Sequence, residues 1–207
     1  MVKKLIQEGA EAKIYLDKDV VLKHRGPKMY RHSQLDLLIR KRRMKQEAKI
    51  LGKAKSFGIN VPVISNVNKK FEPMEKYDLE MEYINGDKLS EKLNSYPEKK
   101  QFEVMRKLGE QVALIHSNDI IHSDLTTSNV ILKGDDVFLI DFGLGYFSAK
   151  IEDKAVDLHL IKQALEAKHF QNNEDLFLHF LKGYIYEDSE KVVSRLVIVE
   201  KRGRYKH

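Results

Sequence analysis

The stretch His122–Gly143 reads HSDLTTSNVILKGDDVFLIDFG. It contains His122-x-Asp124, then Asn129 five residues beyond that aspartate, then Asp141-Phe142-Gly143. Between Asn129 and Asp141 lie two short apolar, β-branched runs, Val130-Ile131-Leu132 and Val137-Phe138-Leu139-Ile140, separated by Lys133-Gly134-Asp135-Asp136. This pattern predicts a β-hairpin. A hairpin brings its two ends together, so Asn129 and Asp141 are expected side by side, with Asp124 in the loop just before. An Asn amide and an Asp carboxylate are oxygen donors suited to Mg²⁺, a hard cation usually held by one or two carboxylates plus substrate phosphates. Asp124 then stands where it can accept the proton of an attacking hydroxyl. Such a set suits phosphoryl transfer, where catalysis is mostly positioning and charge neutralisation.

Each piece alone is weak, since a lone His-x-Asp or Asp-Phe-Gly is usually a turn. In order, correctly spaced and joined by a hairpin, the three resemble the protein-kinase signature of a catalytic loop followed by Asp-Phe-Gly. The resemblance implies an α+β, minimal two-lobed kinase-like fold. Residues 1–84 would form an N-lobe of antiparallel sheet plus one long helix. Residues 85–207 would form a helical, truncated C-lobe carrying the catalytic loop and metal site.

The 207 residues suffice for one large domain or two small lobes sharing a cleft. Hydrophobic residues make up 42 %, enough for a core. No apolar run approaches the ~18 residues of a membrane span, and the opening MVKKLIQEG lacks the apolar core of a signal peptide. A cytoplasmic protein with no membrane partner is expected. Cysteine is absent, which excludes disulfides and cysteine-based metal or nucleophile chemistry. The net charge of +6 fits either an anionic partner, nucleotide or RNA, or simply a solvated basic surface.

Along the chain, Lys3–Gln7, Ala12–Leu16 and Val20–His24 read as strands. Gly9 is the single glycine of the first turn, which in kinases covers the ATP phosphates. Small residues at Ala10 and Ala12 allow close backbone approach, and Lys13 is a candidate additional cation. Lys23 ends the third strand, where a kinase lysine grips the α/β-phosphates with an acidic partner from the next helix. Only Asp36 and Glu47 are acidic between Lys23 and Phe71. A helix is predicted over 34–55, with Ser33 as N-cap. Its stripe Met44, Ala48, Leu51 passes beside Glu47 and not Asp36, which selects Glu47. The same helix carries Arg40-Lys41-Arg42-Arg43 and Lys45, a solvated face or a partner- or RNA-facing patch.

Tyr77–Ile84 alternates like a strand, and Asn85-Gly86-Asp87 breaks it ahead of a helix near Lys88. By the kinase resemblance this is the inter-lobe link, with Met81 as gatekeeper and the Glu82 carbonyl and Ile84 amide pairing with adenine. Glu98–Asn118 is amphipathic, with Phe102, Met105, Leu108, Val112 and Ile115 on one face and Pro97 at its start. His116 and His122 read as structural. After Gly143 there is no long activation segment and no Ala-Pro-Glu motif. Helices are predicted over 154–168, 174–185 and 189–200, ahead of a basic tail, Lys201–His207. The resemblance gives Asp157 the task of binding backbone amides of the catalytic loop.

Departures from the usual kinase pattern narrow the family. Ser123 replaces the arginine of His-Arg-Asp, which removes the usual partner of a phosphorylated activation loop. The run His122–Asn129, the sparse turn Gln7–Ala12, Asp141-Phe142-Gly143-Leu144-Gly145, Lys154-Ala155-Val156-Asp157-Leu158 and Arg202-Gly203-Arg204 together resemble the small atypical kinase subunit of the KEOPS (EKC) complex, the family that includes PRPK. The similarity runs over essentially the whole chain. It implies a Ser/Thr kinase or ATPase using ATP and Mg²⁺, in complex with the tRNA-modifying ATPase subunit that makes threonylcarbamoyladenosine and with further small subunits. It implies Asp124 as catalytic, Gly9, Lys13, Lys23, Glu47, Glu82 and Ile84 as nucleotide-binding, and Asn129 and Asp141 as metal ligands. The basic helix and tail are candidate tRNA contacts. A RIO-like ribosome-assembly kinase and a largely non-catalytic scaffold are the alternatives.

Overall fold

The computed structural model describes residues 4–9, 12–67 and 78–204. The first half is built on strands β1 (Lys4–Glu8), β2 (Lys13–Asp17) and β3 (Val20–His24), helix α1 (Ser33–Ser56), and strands β4 (Ile64–Val67) and β5 (Leu79–Glu82). Among the described residues these strands form one antiparallel sheet in the order β1-β2-β3-β5-β4. The β2–β3 turn is two residues, and Lys18 carries the positive φ (56°) that reverses the chain there. α1 packs its buried residues, Met44, Ile50, Leu51 and Ala54 among them, into the core that also holds Leu79 and Met81 of the sheet.

The second half begins with β6 (Asp87–Lys88) and the single-turn α2 (Leu89–Lys92), then α3 (Glu98–Ser117) and β7 (Ile120–Ile121). Next come β8 (Val130–Lys133), β9 (Asp136–Leu139), β10 (Tyr146–Phe147), α4 (Ile151–Lys168), α5 (Asn173–Gly183) and α6 (Ser189–Arg204). β8 and β9 are the expected hairpin, in register Val130↔Leu139 to Lys133↔Asp136. Gly134, first of its two turn residues, takes φ +62° at no steric cost. α3 buries Met105, Leu108, Val112 and Ile115 as its periodicity predicts.

The expected α+β, two-lobed architecture is present, with several corrections. Asp36 is not peripheral to α1's inner face: it is 2 % exposed and accepts from Arg40 Nε at 2.8 Å. Arg40 therefore leaves the basic surface, and its Nη1 donates to the Arg25 carbonyl at 3.2 Å. A buried ion pair looks like surface in a hydropathy pattern, so the apolar stripe of α1 gives no sign of this one. The short strand β6 precedes the helix expected near Lys88. The basic tail is not separate from the last helix, since α6 runs on to Arg204 and Arg202 Nη1 donates to Glu152 Oε1 at 2.7 Å. The expectations for Ala10, Glu11, Tyr77 and residues 205–207 fall outside the described residues.

Candidate active site

A cleft of about 230 Å³ opens between the sheet and the helical half. Ile14, Val21, Met81 and Ile140 supply apolar wall, and Lys23, Glu47, Asn129 and Asp141 supply polar wall. Lys23 comes from β3, Glu47 from α1, and the other two from the ends of the β8–β9 hairpin. The hairpin joins its ends directly, as Ile140 N–H donates to the Asn129 carbonyl at 3.0 Å. Three parts of the chain remote in sequence, β3, α1 and the hairpin, thus converge on one place.

Lys23 Nζ donates to Glu47 Oε1 at 2.9 Å and to Asp141 Oδ1 at 2.6 Å. Lys23 is 5 % exposed and Glu47 fully buried, so neither charge is tolerable without its partner. Asp141 is held below the usual carboxylate range: burial pushes its pKa up, but the charge and hydrogen bond of Lys23 and the Gly143 N–H, at 3.1 Å, outweigh it. Its backbone sits at φ +63°, a conformation costly for a side-chain-bearing residue and characteristic of functional sites.

Asn129 Nδ2 donates to both the main-chain carbonyl and Oδ2 of Asp124, each at 2.8 Å. The amide nitrogen so fixes the Asp124 carboxylate, and the amide oxygen is the atom that could hold a metal ion. The loop beneath is anchored by Asp157, which is fully buried. Its carboxylate accepts from His122 N–H at 2.7 Å and Ser123 N–H at 2.8 Å. Ser123 stands at φ +66°, so these bonds hold a strained backbone in place. His122 is buried, with Nε2 3.1 Å from the Ile140 carbonyl and Nδ1 accepting from Asp124 N–H at 3.3 Å. His116 backs Asp157, with Nε2 3.2 Å from Oδ2 and Nδ1 2.6 Å from the Tyr184 hydroxyl.

The other expected residues divide. Glu82 and Ile84 line the cleft, and the link is pinned by Glu82 N–H to the Val63 carbonyl (2.8 Å) and Tyr83 N–H to the Asp19 carbonyl (2.9 Å). Gly9 lines an adjoining cavity of about 210 Å³, shared with Lys23, Asp124 and Asp141. Lys13 does not join them. Its neighbour Ile14 faces the cleft, so strand alternation turns Lys13 to the other face, where it pairs with Glu8 at 2.9 Å. The sequence reading missed Arg25, which is 3 % exposed and donates through Nη2 to Glu47 Oε2. Its place two residues after Lys23, just past the strand end, was the available signal.

The chain matches the protein kinase domain family over residues 3–176, and with this fold and site it belongs to the protein kinases as an atypical member. Within them it belongs to the family of the KEOPS kinase subunit. It is 41 % identical to KEOPS complex subunit Bud32 of Pyrococcus abyssi (strain GE5 / Orsay), over 98 % of this chain and 96 % of that one. It is 38 % identical to a probable bifunctional tRNA threonylcarbamoyladenosine biosynthesis protein of Methanosarcina acetivorans, over 97 % of this chain and 35 % of that longer one. Among solved structures, WaaP in complex with acyl carrier protein has a TM-score of 0.65 at 13 % identity, covering 97 % of this chain and 86 % of that one. The Rio2 kinase–ADP/Mg²⁺–phosphoaspartate complex from Chaetomium thermophilum has a TM-score of 0.62 at 12 % identity, covering 95 % and 70 %.

Proposed function

We propose that this chain is an Mg-ATP-dependent serine/threonine kinase or ATPase that serves a KEOPS-type assembly in threonylcarbamoyladenosine modification of tRNA. The observation that carries the reading is the convergence of Lys23, Glu47, Asn129 and Asp141 on one cleft, with Asp124 held beside them. The donor set suits the cofactor: a lysine fixed by a buried carboxylate for phosphate oxygens, and an amide and a carboxylate oxygen for a hard cation. We divide the chain into lobes 1–84 and 85–207, with adenine at Glu82 and Ile84 and Gly9 beside the phosphates.

In this reading Glu47 keeps Lys23 aimed at the phosphates, and Asn129 and Asp141 hold Mg²⁺. The bound ion supplies neutralisation of phosphate charge. Asp124, oriented through Oδ2 by Asn129, takes the proton of the attacking serine, threonine or water hydroxyl. Asp157 holds the loop that presents it. Removal of any member misplaces the rest, because positioning is most of what such a site contributes.

The exposed cations Lys41, Arg42 and Lys45 on α1 support an anionic partner such as tRNA. Among the described residues no helix is long and apolar enough to cross a membrane, and we place the protein in the cytoplasm with the KEOPS ATPase subunit and its small companions. The test is Mg-ATP turnover by wild type and Asp124→Ala, following free and protein-bound phosphate, alone and with the tRNA-modifying partner. Turnover lost in the variant supports the reading, and the destination of the phosphate separates ATPase from kinase. Equal turnover by both proteins would sink it.

A further inference from the structure

Glu47 carries two cations. Lys23 takes Oε1, and Arg25, two residues on along the strand direction, takes Oε2. Arg25 follows the last residue of β3, and its side chain reaches the same carboxylate as Lys23. One cation would satisfy Glu47, and the second comes at a cost, because Arg25 is 3 % exposed and its Nη1 has no hydrogen-bond partner among the described residues. A buried guanidinium nitrogen without an acceptor is unfavourable, so a second buried cation here calls for a use beyond balancing Glu47.

Its surroundings indicate what. Arg25 does not line the cleft of Met81, Glu82 and Ile84; it lines the adjoining cavity, beside Asp124, Asp141 and Gly143. A Cβ added at Gly143 would meet Arg25 Nη2 at 3.1 Å and Lys23 Nζ at 3.4 Å, so the two cationic groups stand together over the Asp-Phe-Gly turn. That glycine keeps the space open. The backbone behind Arg25 is also secured, since Arg40, itself paired with Asp36, donates to the Arg25 carbonyl.

We propose that Arg25 is a phosphate-binding residue of this second cavity, holding a phosphoryl group in front of Asp124. The inference rests on the nucleotide reading above. Nη2, already bonded to Glu47, carries a second N–H, and a charge-assisted hydrogen bond from it suits a phosphate oxygen. Held from within the chain, such an arginine does in cis what other phosphoryl-transfer proteins receive from a partner. The same chemistry has two sources: the terminal phosphate of the bound triphosphate, or a separate phosphate entering beside the diphosphate.

The experiment is calorimetric binding of Mg²⁺ with a β,γ-methylene ATP analogue, Mg-ADP, AMP, and inorganic phosphate added to the ADP-loaded protein. The proteins are wild type, Arg25→Gln and Arg25→Lys, all full chain and checked by thermal unfolding. The lysine variant keeps the charge that balances Glu47 and guards against misfolding of the glutamine variant. If the terminal phosphate is the ligand, Arg25→Gln loses about tenfold to a hundredfold in affinity for the triphosphate. AMP binding then stays within about twofold, and Arg25→Lys falls between. If a separate phosphate is the ligand, nucleotide affinities hold and phosphate binding to the ADP-loaded protein is lost in the variant. Equal loss for triphosphate and AMP, or no change in any ligand, overturns the proposal and leaves Arg25 a structural partner of Glu47. Wild type that binds phosphate through Arg25 but no nucleotide sinks the nucleotide reading and keeps the subsite; wild type that binds neither sinks both.

Discussion

Lys23 Nζ lies 2.6 Å from Asp141 Oδ1, across 118 residues of sequence. The bridge ties β3 to the loop after β9, while Glu47 holds Lys23 through a second hydrogen bond. Asp141→Ala should therefore abolish Mg-ATP turnover while leaving a folded protein with the Lys23–Glu47 pair intact. Because its pKa is depressed from the ordinary 3.8, Asp141 adds stability that is present above that value and lost as pH falls through the lower, folded one. Turnover and thermal unfolding of the variant at pH 7 decide the point: undiminished hydrolysis removes Asp141 from the site.

Glu47 gives a different outcome. Its carboxylate is fully buried between two cations, so Glu47→Ala leaves both without a counter-charge. Breaking a buried pair by removing one partner costs about 3–5 kcal/mol, and the loss should appear in urea unfolding as a lower midpoint. Glu47→Gln, which keeps an acceptor oxygen, should cost less. If both variants unfold like wild type, the pair contributes nothing to the fold.

The parts of this site carried on one hairpin were legible in sequence because a two-residue turn and period-two alternation fix their ends. Lys23 and Glu47 were legible for another reason: between Lys23 and Phe71 the sequence offers only two acids, and the apolar stripe of the helix passes beside Glu47. Arg25 was not, because a cation just past a strand end reads like any surface residue until the depth of the sheet is known. Asp36 and Arg40 failed in the opposite direction: paired four apart on α1, they neutralise each other inside, where hydropathy sees only charge. Lys13 pairs with Glu8 rather than lining the cleft, because spacing places a residue on a strand but does not say which face meets the cleft when the turn before it is short of landmarks.

Nothing in the periodicity of α3 and α5 announced how closely they cross. A Cβ at Gly183 would stand 1.9 Å from the Arg106 carbonyl oxygen, and one at Gly109 2.0 Å from that of Phe180, contacts no rotamer change can relieve because the obstacle is backbone. Gly183→Ala and Gly109→Ala should each destabilise by about 1–3 kcal/mol or more, as the helices are forced apart. Gly52→Ala, in α1 with nothing within 4 Å of the new methyl, should do the reverse and stabilise by roughly 0.5–1 kcal/mol. Thermal unfolding of the three variants gives the comparison, and a common sign would mean that packing of α3 on α5 is not what the first two report.

The histidine behind the catalytic loop should make stability depend on pH. His116 is fully buried among Asp157, Tyr184, Lys154 and His122. Its Nε2 lies 3.2 Å from Asp157 Oδ2 and its Nδ1 2.6 Å from the Tyr184 hydroxyl, which in turn lies 3.3 Å from the Tyr186 hydroxyl. Burial pushes its pKa below the ordinary 6.5, with Asp157 acting against the shift and Lys154 with it. His169 shifts the same way, through burial and Lys168. A depressed histidine is protonated first in the unfolded chain, so its contribution is complete above about pH 6.5 and declines as pH falls below it. One such group gives a slope of up to about 1.4 kcal/mol per pH unit. Stability should thus be flat from pH 8 to 7 and fall from pH 6.5 towards 5, with a shallower fall in His116→Gln, which keeps a donor towards Asp157 but cannot titrate. Parallel pH profiles for the two proteins would assign the acid sensitivity to other groups.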